Sequence, residues 1–273
     1  MTATELVIRP RRGWQPIDAG ELWHFRELLG FLIWRDLKVR YKQTVLGGIW
    51  AVMQPLIGML VFGTLFTRVA QVKGDGSPYP LFVYAGLVPW TFFANAVSLA
   101  SNSLLGSEQM IRKIYFPRIL LPFGTIFALG LDMLISFAFM ALLMLYYRWP
   151  LSWTVVYLPL FIAGCALASC GLGLILSALN VRYRDVKYIV PFFTQMALFL
   201  TPVIYPLRNI PERFRLIAAV NPMAGMVEGF RFSLLGSGIS WPVVWISATS
   251  AVLLFVTGLY FFRRLERTFA DLI

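Results

Sequence analysis

Residues 119–147 read ILLPFGTIFALGLDMLISFAFMALLMLYY, a stretch in which Asp132 is the sole charge. A bilayer core about 30 Å thick is crossed by roughly 20 apolar residues of helix. This stretch is longer than that, so it can span with some tilt. The whole chain agrees. Its 273 residues are 59% hydrophobic and 14% charged, with mean hydropathy +0.72. A soluble domain is nearer half apolar and a quarter charged. The fold class is therefore an all-α integral membrane protein.

Working outward, similar apolar runs occupy about 46–66, 81–100, 153–178, 188–205 and 243–262, which makes six transmembrane helices. The first opens with Gly47-Gly48 and is interrupted by Pro55; the second holds Pro89 and Asn95. Residues 1–20 carry Arg9, Arg11, Arg12 and Asp18, lack the apolar stretch of a signal peptide, and read as a flexible tail. In 21–42, Leu22, Phe25, Leu29 and Leu32 recur at helical spacing with charges on the other face. The apolar run 28–34 is too short to span, so an amphipathic helix at the membrane surface fits. Residues 43–262 form the transmembrane domain and 263–273 a charged tail. Within the domain, 206–235 is rich in proline and charge, and predicts two short helices near 211–220 and 222–235 that do not span.

Six spans put both termini on one side. That side would carry 17 of the 24 Lys and Arg residues, the other side 7. The positive-inside bias then places both termini in the cytoplasm and makes 206–240 external. The net charge of +11 fits anionic lipid contact and gives no reason to invoke nucleic acid.

Several chemistries lack their residues. There is no G-x-x-x-x-G-K-[ST] phosphate loop, and the sole histidine, His24, lies in the surface helix. A Ser-His pair inside the membrane is thus unavailable, and no Cys/His cluster suggests a metal. Cys165 and Cys170 lie inside one apolar run and read as small packing residues. Cys165, Ser169, Gly173 and Ser177 fall four apart, a pattern that lets helices approach closely. Asp132 and Glu228 are too few for an ion-coupled carrier. Asp132 itself reads either as an ion relay or as an interhelical hydrogen bond. No cofactor or metal is expected, and no enzymatic activity of the chain's own.

A transporter without an energy source must borrow one, and two inside loops offer handles. In 101–118, Glu108, Arg112 and Lys113 share a short amphipathic helix with Met110, Ile111 and Ile114, ended by Pro117. In 180–187, Arg182, Arg184 and Lys187 surround Asp185. Solvated positive-inside loops are the plainer reading of both.

A set of short motifs adds a resemblance. It comprises 35–42 (RDLKVRYK), Leu46-Gly47 with Trp50, Gln54-Pro55, 86–90 (GLVPW), 111–117 (IRKIYFP), 180–185 (NVRYRD), 201–205 (TPVIY) and 221–223 (NPM). Their order and content resemble ABC-2-type permeases, closest to the branch that exports O-antigen, capsule and teichoic acid. The resemblance implies a homodimer in the bacterial inner (cytoplasmic) membrane, bound to two copies of an ABC ATPase. It makes 21–42 an interface helix beside that ATPase. It makes 106–117 a coupling helix, with Tyr115 and Phe116 in its motif, 182–187 a second contact, and 206–235 a pair of external re-entrant helices. The substrate it implies is a polysaccharide on a polyprenyl diphosphate carrier, passing a pore lined by the first and fifth spans. Aromatic rings pack on sugar C–H faces and sparse polar groups meet hydroxyls. Trp50, Gln54 and Phe62 are the candidates on the first span; Phe192, Phe193, Gln195, Met196, Phe199 and Tyr205 are those on the fifth. Packing against lipid or a neighbouring helix is the alternative for the aromatic stripe. Two other functions stay open: an ABC-2 exporter of a small drug or lipid, and a membrane enzyme of glycan assembly. The enzyme would want clustered acids on a large external loop, where only Glu212 and Glu228 lie.

Overall fold

A computed structural model describes residues 19–42, 48–68, 76–266 and Phe269. Among them there are helices and no strand: α1 Ala19–His24, α2 Arg26–Lys42, α3 Ile49–Arg68, α4 Tyr79–Asn102, α5 Glu108–Lys113, α6 Leu120–Tyr146, α7 Leu158–Arg182, α8 Val186–Leu200, α9 Glu212–Ala219, α10 Pro222–Leu235 and α11 Trp241–Glu266. The tails 1–18 and 270–273, and the start of the first apolar run at 46–47, lie outside the described residues.

Helix α4 is the axis of the bundle. It is apolar on every side, and a helix of that kind must be surrounded. Helices α3, α6, α7, α8 and α10 pack around it, and Leu81, Val83, Tyr84, Ala96 and Ala100 have no exposed surface. Outside it, α7 and α11 cross so closely that a Cβ on Gly258 would sit 2.4 Å from the Gly171 carbonyl oxygen. The small stripe Cys165, Ser169, Gly173 and Ser177 is fully buried on α7. A Cβ on Gly173 would come 3.0 Å from that of Ala100 on α4.

Four helical segments are long and apolar enough to cross a membrane: α4, α6, Trp153–Arg182 and α11. The chain is a multi-pass membrane protein. The two other apolar runs give shorter apolar helices, Ile49–Leu65 and Val186–Leu200. Helix α8 has 15 residues, about 22 Å of rise, less than a bilayer core. The apolar run 188–205 overshoots it because Thr201 precedes Pro202 and is held extended (φ −93°, ψ 139°). At the other end of α7 the helix runs on to Arg182, while 153–157 forms a separate 3-10 turn. Pro55, Pro89 and Pro191 lie inside helices that continue through them. Pro55 thus does not interrupt the first apolar run.

Two ends of the bundle can be told apart by their ties. At one end Asn180 donates to the Ser101 carbonyl (2.9 Å) and Arg118 to the Glu266 carbonyl (2.8 Å). Those bonds join the ends of α4 and α7 and tie the start of α6 to the end of α11, and Ile111 of α5 packs into the apolar cluster at this end. At the other end lie the start of α4, the 3-10 turn, and α9 and α10. Helix α10 is capped at both ends: Asn221 accepts from the Met223 amide (3.0 Å), Pro222 takes the first position, and Gly236 closes it at φ 67°.

Residues 21–42 divide at Phe25 into α1 and α2. Leu32 is buried, packing with Phe25, Leu28 and Leu29 against Phe116, Ile119 and Leu120. Trp23, Phe31, Trp34 and Val39 are exposed, so α2 is apolar on more than one side. Leu32 faces Gly124 of α6, and Asp36 accepts from Thr125 (2.9 Å). Further along, Arg40 meets Asp132. Helix α2 therefore runs beside the first half of α6 rather than across its end.

Candidate functional site

Three groups of residues could carry function. The first is at the end of the bundle that gathers α5. Helix α5 is one and a half turns long, with Glu108 in its first turn and Arg112 and Lys113 in its last, which suits the helix dipole. Arg112 pairs with Glu108 at 2.7 Å, but both side chains are about half exposed. Such a pair stabilises little, and the two charges remain presented to solvent. Ile111 is buried and anchors the helix. Helix α5 stops at Lys113; Ile114 is extended and exposed, as is Tyr115. Phe116 points the other way, 5% exposed among Ile119, Leu120 and Leu104. It anchors the loop and offers no surface. Arg182, Arg184, Asp185 and Lys187 are all exposed around the start of α8. Arg182 stacks on Tyr183, with its guanidinium 5.4 Å from the ring centre.

The second group surrounds a cavity of about 600 Å³ between α2, α3, α4 and α6. Trp50 and Gln54 line it. Gln54 accepts from the Asn95 amide nitrogen at 3.1 Å, so the two amides face each other across α3 and α4. On the opposite wall Asp132 accepts from Arg40 at 2.5 Å and from the Tyr41 hydroxyl. Burial, and then the hydrogen bond to Asp132, push the Tyr41 phenol above its ordinary value. It stays a neutral donor throughout the physiological range. Ser136, one turn further along α6, donates to the Ala51 carbonyl at 3.0 Å. Helix α3 thus begins beside the middle of α6, and the cavity sits at about half the length of that span.

The hydrogen bonds of Asp132 are interhelical, as the second sequence reading has it, and its partners are a cation and a phenol of the N-terminal helix. The available signal was the lone acid in an apolar stretch, which in a membrane needs a charge partner. Arg40 was in plain view in RDLKVRYK. Asn95 was likewise noted without a partner.

The third group is the exposed flank formed by α3 and α8. Trp50, Phe192, Phe193, Met196 and Phe199 are 44 to 65% exposed, and Gln54 and Gln195 are exposed with them. Phe62 meets Phe199 edge to face, centroids 6.4 Å apart, which joins the two helices. Tyr205 lies past the end of α8, half-buried, its hydroxyl donating to the Phe199 carbonyl at 3.1 Å. Among these candidates the structure brings together Phe62 of the first apolar run and Phe199 and Tyr205 of the fifth.

Residues 27–235 match the family described as ABC-2 type transporter. The chain belongs to the ABC-2 type transporter family. The family implies an ABC ATPase as partner, which supplies the energy source missing from this chain. Its relatives align end to end. An O-antigen export system permease protein, RfbA, of Klebsiella pneumoniae is 30% identical over 254 residues, covering 92% of this chain and 97% of its own. The protein of that name from Myxococcus xanthus is 31% identical, covering 90% and 95%. The polysialic acid transport protein KpsM of Escherichia coli is 26% identical, covering 86% and 92%. Seen in this ABC-2 transporter, the three groups divide by place. One is an exposed charged end suited to a soluble partner. Another is a largely apolar cavity with a few polar groups beside the middle of α6, and the third a polar-dotted aromatic flank.

Proposed function

We propose that this chain is the permease subunit of an exporter that moves a lipid-linked polysaccharide outward across the bacterial inner membrane. The full-length similarity to O-antigen export permeases, 30 to 31% identical, carries the proposal. In this reading the chain works as a homodimer with two ATPase subunits and has both termini in the cytoplasm. The substrate is a glycan on a polyprenyl diphosphate. The excess of Lys and Arg at the α5 end supports that orientation.

Each subunit contributes its α3–α8 flank to the pore. Gln195 supports this, because an exposed amide turned to lipid would lose its hydrogen bonds; Gln54 adds a polar pair with Asn95. Trp50, Phe192, Met196 and Phe199 offer ring faces to sugar C–H groups, with Phe62, Phe193 and Tyr205 beside them. The ATPase docks on α5 and on 182–187. Glu108, Arg112, Lys113, Tyr115, Arg182, Arg184 and Asp185 face it, while Phe116 holds the loop to the bundle from inside.

The test is genetic and biochemical together. Deleting this chain should strip the glycan from the cell surface and leave the lipid-linked form inside, with restoration from a plasmid copy. Arg112→Glu with Lys113→Glu should leave the protein in the membrane but reduce export by roughly tenfold or more, the effect of reversing a charged contact. Unchanged export by that double variant would remove α5 from the coupling role. An unchanged surface glycan in the deletion strain would sink the function itself.

A further inference from the structure

The two segments proposed to meet the ATPase are far apart in sequence, and one buried side chain bridges them. Helix α4 ends at Asn102, and a 3-10 turn at 105–107 leads from it into α5. Helix α7 ends at Arg182, where the exposed stretch 182–185 begins. Asn180, in the last turn of α7, has no exposed surface. Its amide nitrogen donates to the Ser101 carbonyl at 2.9 Å and to the Asn102 side-chain oxygen at 3.1 Å. The Ser101 carbonyl lies in the last turn of α4, where carbonyls have no partner within the helix. Asn102 is oriented in turn, its nitrogen donating to the Ser98 carbonyl at 2.9 Å. That bond turns the Asn102 oxygen toward Asn180, so the two amides form one chain of donors and acceptors. Both hydrogens of the Asn180 amide are thereby used, while its buried oxygen has no hydrogen-bond partner among the described residues. A bare buried acceptor is costly, and an apolar side chain of that size would avoid the cost. What asparagine supplies here is its pair of donors, and both reach the other segment.

We infer that Asn180 is a positioning residue that yokes these two segments, so that α5 and 182–187 shift as one body when a partner moves either. The inference rests on the reading that both segments face the ATPase. Packing joins them as well: Leu104, Ile111 and Phe116 share a buried cluster with Val181. Apolar contact has no direction, however, and lets surfaces slide. Two hydrogen bonds from one planar amide fix the register of α7 against α4. With the yoke in place, a push received at α5 passes to 182–187 and so to the start of α8, whose aromatic face belongs to the proposed pore. Without it, each segment follows the ATPase separately.

The experiment has two arms. Asn180→Leu removes both donors at nearly constant volume. Asn102→Ala removes one acceptor at a less buried position, and carries the comparison alone if Asn180→Leu does not fold. Ser103→Ala is the control, because its hydroxyl donates only to the Ala100 carbonyl of its own helix (2.7 Å). In the first arm, nitroxides are placed at Ile114→Cys and Tyr183→Cys, both positions more than half exposed, while the native thiols are buried. Labelled full-length chain is diluted in unlabelled chain, and the distance between the spins is read by pulsed resonance. The distribution should be narrow in the parent and in Ser103→Ala and broad in the two yoke variants. In the second arm, ATP hydrolysis by the co-purified complex is compared with surface glycan in the same strains. The yoke variants should hydrolyse ATP at the parent's rate while surface glycan falls roughly fivefold, the worth of one buried hydrogen bond. A proportional loss of both would mark a merely structural residue and overturn the inference, as would an unbroadened distance or undiminished glycan. If the parent itself exports no glycan, the proposed function falls. The distances then decide alone whether Asn180 joins the segments.

Discussion

Arg40, Tyr41 and Asp132 join the N-terminal helix to the middle of a membrane span. A carboxylate at that depth is costly alone and tolerable when a cation and a hydroxyl meet it. The side chains of Arg40 and Asp132 are 28% and 19% exposed, so water relieves part of the cost. Removing one partner leaves the other charge in the cavity wall and should destabilise by about 2 kcal/mol, the size of a lost charge-assisted bond. Arg40→Ala and Asp132→Asn should therefore each lower the unfolding midpoint in detergent. Arg40→Asp combined with Asp132→Arg should recover part of the loss. A double variant as weak as the sum of the two would mean that the pair does not interact. The pairing was out of reach of helical spacing, because Arg40 and Asp132 are 92 residues apart and only the path of α2 along α6 brings them together. Gln54 and Asn95 repeat the lesson. Each amide was visible as a polar group in an apolar run, and its partner depended on which helices pack.

Elements were more legible than pairs, because membrane helices follow from composition. The apolar core of α6 is plain in ILLPFGTIFALGLDMLISFAFMALLMLYY, and Thr201-Pro202 marks the true end of α8 even though apolar residues continue past it. Element packing was read in part. The stripe from Cys165 to Ser177 does lie in an intrasubunit contact, with α4. The backbone crossing of Gly171 against Gly258 has no pattern in either helix alone. There a side chain on α7 would enter the backbone of α11: a Cβ on Gly171 would come 2.6 Å from the Leu254 carbonyl carbon. Backbone cannot swing aside as a flexible side chain can. Gly171→Leu should thus separate α7 from α11 at a cost of about 3 kcal/mol, at the upper end for overpacking. Gly130→Leu on α6, where a Cβ meets nothing within 4 Å, should be near neutral. The yield of monodisperse protein in detergent checks both. Equal yields would show that the crossing has slack.

For the whole molecule the open question is which of its apolar flanks meets lipid and which meets protein and water. Exposure alone does not answer it, since Leu134 on α6 and Leu253 on α11 are 63% and 62% exposed, as a lipid-facing side chain would be. Polar content does. The α3–α8 flank carries Gln54 and Gln195 among its aromatics, while Leu134 stands among hydrocarbon side chains and Leu253 beside Thr249 and Thr257, whose hydroxyls donate to carbonyls of their own helix. Gln54 has a partner in Asn95, but an amide at Gln195 turned to lipid would cost several kcal/mol, so the amide-bearing flank should border a hydrated path. Cysteines placed one at a time at Gln54 and Gln195 should react with a water-soluble maleimide, and cysteines at Leu134 and Leu253 should not. The native thiols interfere little, because Cys165 and Cys170 are buried. If the hydrated flank is shared by two subunits, the detergent-corrected mass should be near twice the 31.0 kDa chain. The two measurements separate the possibilities. Labelling with a doubled mass means a pore between subunits, and labelling with a single mass means a cleft within one. Four unlabelled positions would return the flank to lipid and remove Trp50, Phe192 and Phe199 from any sugar path.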